Sequence, residues 1–172
     1  MPWRLRGAAA SDAAACALVS GATFLEAFAG VLGGRDIVDH CAAKCSVATF
    51  ADWLADPGSV VTLAEASEGG APIGYTVLTT PDLPVAPGDA DIELRRIYTL
   101  TSTHGTGLGP ALMARAVDDA RYLGRTRLLL GVYGRNDRAH RFYERQGFTR
   151  VGTRQFRVGA TLHDDFVYAR AV

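Results

Sequence analysis

No charge excess, no disulfide framework and no nucleotide-binding lysine mark this chain, and each absence closes off a class of function. Lysine plus arginine total 18 and aspartate plus glutamate total 18, so no global field draws the protein to nucleic acid or to an acidic membrane. Three cysteines, Cys16, Cys41 and Cys45, are an odd count that builds no paired scaffold, and a reduced, cytoplasmic chain is expected. Cys41 and Cys45 sit four apart on an expected helix without a second pair or a matching histidine, so they read as small buried hydrophobes. His40, His140 and His163 have no ligand spacing either, and no metal is expected. The contexts of Ser46 and Ser102 lack the turn of a hydrolase nucleophile. There is no repeat, and the apolar stretch from Ala13 to Leu32 is bounded by Asp12, broken by Glu26 and diluted by small residues. It reads as a soluble helix rather than an export signal or membrane span.

What is present fits one domain over residues 1–172, since the chain is 48% hydrophobic and too short for two comfortable cores. Trp3 to Arg6 alternates like an edge-side strand, and Ser11 is placed to cap an alanine-rich helix whose Leu18, Leu25 and Leu32 form an inward stripe, ended by Gly33-Gly34. Helices follow from about Asp36 to Lys44 and from near Ser46, the latter with Phe50, Trp53 and Leu54, until Asp56-Pro57-Gly58. Val60–Ala64 and Ile73–Leu78 read as an antiparallel pair. Pro81 to Asp91 reads as a surface loop able to lie over a neighbouring site. Ile92–Leu100 is strand-like, Leu108–Leu123 helical with Leu112, Met113, Ala116, Val117 and Ala120 on one face, and Thr126–Val132 a central strand, which together make a right-handed βαβ unit. Asn136 caps a short helix ended by Gly147, and two strands, Phe148–Phe156 and Asp165–Ala171, finish the chain through Val158-Gly159-Ala160.

The chain is organised around His104-Gly105-Thr106-Gly107-Leu108-Gly109-Pro110. Three alternating glycines open a helix directly after a strand, so backbone N–H groups can converge on an anion at the positive end of the helix dipole. Pro110 suits a first turn because its missing N–H has no partner there anyway. A merely flexible turn is the alternative. No Lys-Ser/Thr pair follows for a nucleotide P-loop and the third small residue of a dinucleotide fingerprint is missing, so neither ATP nor NAD is favoured.

Two linked stretches, Arg96-Ile97-Tyr98-Thr99-Leu100 running into His104–Gly109, and Asn136-x-x-Ala139-x-x-Phe142-Tyr143-x-x-x-Gly147-Phe148, resemble the GNAT superfamily of acetyl-CoA-dependent N-acetyltransferases. The resemblance implies an α/β (α+β) domain with a central, mixed, mostly antiparallel twisted sheet of about seven strands, flanked by helices and splayed at its centre to hold the cofactor. It assigns the pyrophosphate of acetyl-CoA to His104, Gly105, Thr106, Gly107, Leu108, Gly109 and Pro110. His104 stands where the family has Gln or Arg. The backbone of Ile97, Tyr98 and Thr99 would meet pantetheine and the acetyl carbonyl, with Asn136 beside them. Tyr143 matches the family's proton donor to the leaving thiolate; core packing is the alternative. Glu93 is the candidate base, with a solvated or salt-bridged role as the alternative.

Glu93-x-x-Arg96-Ile97-Tyr98 and the tail Phe156-Arg157-Val158-Gly159 with Asp164-Asp165-Phe166-Val167 look most like PaiA-type polyamine acetyltransferases, which leans the acceptor toward a small polyamine-like primary amine. The implied reaction is direct attack without an acyl-enzyme. Acetylation of a protein or peptide and a catalytically silent acyl-CoA-binding module are the rivals. The exposed C-terminal strands make a homodimer plausible.

Overall fold

The computed structural model describes residues 2–86, 88–159 and 161–172. Pro87 in the expected loop and Ala160 in the expected final turn lie outside the described residues. The chain runs β1 (Trp3–Gly7), α1 (Ala13–Phe28), α2 (Gly34–Lys44), α3 (Val47–Ala55), β2 (Val60–Ala66), β3 (Pro72–Thr79), β4 (Asp91–Thr99), α4 (Leu108–Tyr122), β5 (Arg127–Tyr133), α5 (Asp137–Arg145), β6 (Thr149–Val158) and β7 (Thr161–Ala171). Seven strands form one sheet in the order β1-β2-β3-β4-β5-β7-β6, with every neighbouring pair antiparallel except β4 and β5. α4 and α5 cover one face, where Met113, Ala116 and Val117 meet Ile92, Leu94 and Leu128. α1 and α3 cover the other, through Cys16, Val19 and Phe50 against Val61, Leu63, Tyr75 and Val77.

Two irregularities in β4 shape the centre. Its pairing with β5 is confined to Asp91, Ile92 and Glu93, opposite Arg127, Leu128 and Leu129, and beyond Glu93 the two strands part. Opposite β3, Val77 pairs with Arg96 while Leu78 pairs with Leu94, so Arg95 is an extra residue in the ladder. Such a bulge reverses the alternation of side chains. Ile92 and Leu94 face α4, and past the bulge it is Ile97 that does so, while Arg96 and Tyr98 turn toward α1 and α3.

The α1 stripe differs from the expectation. Leu18 and Leu25 are 68% and 53% exposed, and the face against the sheet is Ala13, Cys16, Val19, Ser20, Thr23 and Phe24. Small residues let the helix approach β3 closely, and Ser20 is buried because its hydroxyl accepts from Tyr75 Oη and from Arg96, both at 2.9 Å. In a helix this rich in alanine, seven-residue leucine spacing does not tell inner from outer face. Leu32 packs beyond the helix end, with Phe24 and Ile37. Ser11 lies in a 3₁₀ turn rather than at a cap: α1 follows Asp12, whose carboxylate accepts from the Ala9 amide at 2.7 Å and pairs with Arg6. Gly33-Gly34 opens α2 instead of closing α1, which stops at Phe28 before Gly30 at φ +81°.

Elsewhere the boundaries shift by a residue or a few. Ser46 caps α3 by accepting from the Thr49 amide at 3.1 Å, and Gly124 takes φ +69° after α4. The Pro81 to Asp91 stretch is anchored by Leu83, which packs with Leu129, Val167 and Ala169. Cys16 and Cys45 are buried free thiols, and burial pushes the Cys16 thiol up to about 11. No helix among the described residues is long and apolar enough to cross a membrane, and no three His, Cys, Asp or Glu among them are grouped to hold a metal.

Candidate active site

Where β4 and β5 part, a cleft of about 1230 Å³ opens between α1, the glycine turn, α5 and β7. The start of α4 supplies one wall. Gly107 precedes the helix at φ +83° and Gly105 stands at φ +82°, a left-handed conformation that side chains resist. Among the described residues, the amides of Gly105, Gly107, Leu108 and Gly109 have no acceptor, whereas the Ala111 amide returns to the Gly107 carbonyl at 3.1 Å. Four unspent donors at a helix N-terminus make an anion cradle. Thr106 does not join it: its amide and its hydroxyl both donate to the Thr103 carbonyl, and it does not line the cleft. Glu26 of α1, which was not expected here, fixes the turn by accepting from the amide and hydroxyl of Thr101 at 2.8 and 2.9 Å.

β4 supplies the second wall. Leu100 donates its amide to Ile73 of the β3 side at 2.9 Å, so by alternation Tyr98 and Arg96 also spend their amides on β3, while Ile97 and Thr99 point theirs into the splay. The expectation for the Tyr98 amide is therefore corrected; what Tyr98 brings to the cleft is its ring, stacked on Tyr75 at 6.0 Å.

α5 supplies the third. Asn136 lines the cleft and also caps the helix, its Oδ1 accepting from the Ala139 amide at 3.0 Å. Tyr143 stands two turns on, packed edge-on to Phe142 and Phe148. Its hydroxyl meets no partner among the described residues, and burial, reinforced by Tyr98, holds its phenol well above the ordinary range. It is a neutral O–H at physiological pH.

Glu93 is not brought to this cleft. It is 2% exposed, and its carboxylate accepts from the Asp82 amide at 2.8 Å and from Arg95 at 2.9 Å. Its ladder partner Leu129 lies in the short stretch where β4 and β5 are still paired. The carboxylate that does line the splay is Asp165 of β7, opposite Tyr133 of β5. It is 3% exposed; Oδ2 accepts from Arg154 Nε at 3.4 Å and Oδ1 has no hydrogen-bond partner. Burial raises its pKa above the usual carboxylate value, with Arg154 pulling the other way.

A profile of the Acetyltransferase (GNAT) family matches residues 33–148, most of the chain and both of the stretches that form the cradle and α5. The chain belongs to the GNAT family. An uncharacterised N-acetyltransferase of Mycobacterium tuberculosis is 37% identical over 160 residues, covering 93% of this chain and 97% of that one. The crystal structure of PaiA N-acetyltransferase from Thermoplasma acidophilum, in complex with coenzyme A, superposes with a TM-score of 0.81 at 19% identity, covering the whole of both chains. An acetyltransferase from Salmonella typhimurium, solved with its cofactor acetyl-CoA, gives a TM-score of 0.68 at 21% identity, covering 99% of this chain and 94% of that one. The protein is thus an N-acetyltransferase with the GNAT fold.

Three residues of this GNAT site were not legible beforehand. Asp165 was noticed only as part of a tail motif, because nothing in a strand sequence tells which polar residue loses its solvent. Arg138 donates to His104 Nδ1 at 2.8 Å, a contact between segments 34 residues apart. Gly131 reads as ordinary strand, yet a Cβ there would sit 2.7 Å from the Arg154 guanidinium, so its missing side chain makes room for the Arg154–Asp165 pair.

Proposed function

We propose that this enzyme binds acetyl-CoA in the β4–β5 splay and transfers the acetyl group by direct attack to the primary amine of a small molecule. The observation that carries the reading is that the four unspent amides at the start of α4 and the unpartnered Tyr143 hydroxyl open into one cleft. The amides of Gly105, Gly107, Leu108 and Gly109, with His104 and Arg138 beside them, suit a pyrophosphate. Ile97 and Thr99 offer strand amides to the pantetheine arm and the acetyl carbonyl, where preorganised donors stabilise an oxyanion, and Asn136 adds a side-chain amide. Acetyl-CoA supplies the activated acyl group.

Tyr143 is the proton donor to the departing thiolate: buried and neutral, it holds a proton at Oη where sulfur would lie. Asp165 replaces Glu93 as the group that takes the amine's proton. A primary amine is mostly an ammonium at neutral pH, so a base is needed before attack. Asp165 has one unpartnered oxygen, while both oxygens of Glu93 are engaged.

A small acceptor, rather than a peptide, is supported by an aromatic wall: Phe28 at the end of α1 meets Tyr133 at the end of β5 at 6.2 Å, and Tyr133 meets His163 of β7 at 5.3 Å. The test is incubation with isotopically labelled acetyl-CoA and a panel of amines and peptides, with mass-spectrometric detection of the product. Acetylated small amines support the reading. Binding of CoA with no labelled product of any kind points to the silent acyl-CoA module, and labelled peptides alone to the protein-directed enzyme.

A further inference from the structure

Arg96 lines the cleft and has no part in the reaction proposed above. The bulge at Arg95 turns its side chain toward α1 and α3, where Nη1 donates to Ser20 Oγ at 2.9 Å and Nη2 to the Lys44 carbonyl at 2.6 Å, with the guanidinium 4.9 Å from the Trp53 ring centre. Arg95, Arg127 and Arg154 all pair with carboxylates; among the described residues Arg96 pairs with none. All its acceptors are neutral, and it lines the cleft. A half-buried guanidinium with no counter-ion is costly unless an anion arrives. That anion is not the cofactor's pyrophosphate, because the partners of Arg96 belong to α1, α2 and α3 while the anion cradle opens α4.

Taking the acetyl-CoA-dependent reading as its basis, we propose that the acceptor amine carries an anionic group, most simply a carboxylate, which Arg96 holds while the amine lies toward Asp165. Arg96, Tyr98 and Asp165 line the same cleft, and the pKa of the Tyr98 phenol is raised by burial first, with Arg96 pulling it down and Asp165 pushing it up. The surroundings of Arg96 are electropositive. The His40 imidazole nearby is pushed down to about 4, by burial first and then by Arg96 and Lys44. A polyamine with several positive charges meets that same repulsion. The exposed rim carboxylates of Glu26, Asp52 and Asp82 would favour it, but none of them pairs with Arg96. A zwitterionic amine matches both ends of the cleft.

The experiment scores CoA-dependent thermal stabilisation first, then kcat/KM by thiol release for matched acceptors: amino acids, including β- and γ-amino acids, each with its carboxamide and its decarboxylated amine, and spermidine. The carboxylate member of the preferred set should exceed its carboxamide and its decarboxylated amine by about tenfold or more, as a charge-assisted contact implies. In Arg96→Gln that ratio should shrink toward one, with Arg96→Lys between. Equal or better turnover of the carboxamide, the decarboxylated amine or spermidine by the wild-type enzyme overturns the inference and leaves acetyl transfer standing; this comparison needs no variant to fold. A folded, CoA-stabilised Arg96→Gln enzyme with an undiminished ratio overturns it too. Absence of CoA stabilisation in the wild type removes the acetyl-CoA reading and this inference together.

Discussion

Arg138 donates from Nη1 to Nδ1 of His104 at 2.8 Å, and because a guanidinium cannot accept, the remaining ring proton of His104 stands on Nε2. Burial and then Arg138 lower the His104 pKa, so the ring is neutral at pH 7 and offers one N–H beside the glycine turn. Under the proposed function, the pair would present that N–H and the Arg138 charge to the pyrophosphate. Arg138→Ala should weaken CoA binding about five- to tenfold and flatten its dependence on salt. Isothermal titration at two ionic strengths checks this; an unchanged Kd would remove Arg138 from the phosphate site.

Gly107 and Gly109 separate conformation from space. Neither neighbouring atoms nor packing restrict a Cβ at Gly107, but its φ of +83° does, whereas a Cβ at Gly109 meets only Phe142 at an ordinary 3.7 Å. Gly107→Ala should therefore lower Tm by about 3 °C or more and weaken CoA binding, while Gly109→Ala changes Tm by about 1 °C or less. Equal effects in a melting series with and without CoA would contradict the account of the turn.

Asp165 has a raised pKa caused by burial. A carboxylate whose folded pKa exceeds its unfolded value favours the folded state at low pH, and that contribution is lost as pH rises through the folded pKa. Asp165→Asn, which stays neutral, should gain in Tm relative to wild type as pH rises from about 4 to 8. It should also lose the acidic limb of the kcat/KM profile and about 10²-fold in rate. A rate within threefold of wild type would exclude Asp165 as the base.

Much of this was readable from residues. The α4 face, the three consecutive leucines of β5 and the caps at Ser46 and Asn136 follow from local rules, and the glycine turn marked the site because φ above zero leaves a signature in composition. What was not readable is tertiary. Leu18 and Leu25 point outward because close approach to β3 selects alanine, cysteine and serine for the inner face of α1. The bulge at Arg95 has no sequence signature, yet it decides that Arg96 and Tyr98, not Ile97, face α1 and α3. Glu93 and Asp165 look alike as strand carboxylates, and only the position of the splay distinguishes a clamped residue from an available one.

The opposite sign of pH dependence is expected at the sheet edge. Arg6, followed by the Ala9 amide, holds the Asp12 carboxyl down at about 2, and Arg6 also donates to Glu65. A depressed folded pKa contributes stability above the unfolded value, and it is lost as pH falls through the folded one. Asp12→Asn should lower Tm at pH 7, and the gap to wild type should close between about pH 4 and pH 2. A gap independent of pH would assign the loss to the cap geometry alone.

The central claim is that Tyr143 gives its proton to the thiolate that leaves when the tetrahedral intermediate formed by the amine's attack collapses. The direct measurement is steady-state thiol release with the best acceptor, comparing wild type with Tyr143→Phe. The account predicts that kcat falls by about 10²-fold or more while KM for acetyl-CoA stays within about threefold, since the phenyl ring keeps the packing with Phe142 and Phe148. An unchanged kcat, with the variant folded and binding CoA, would contradict it.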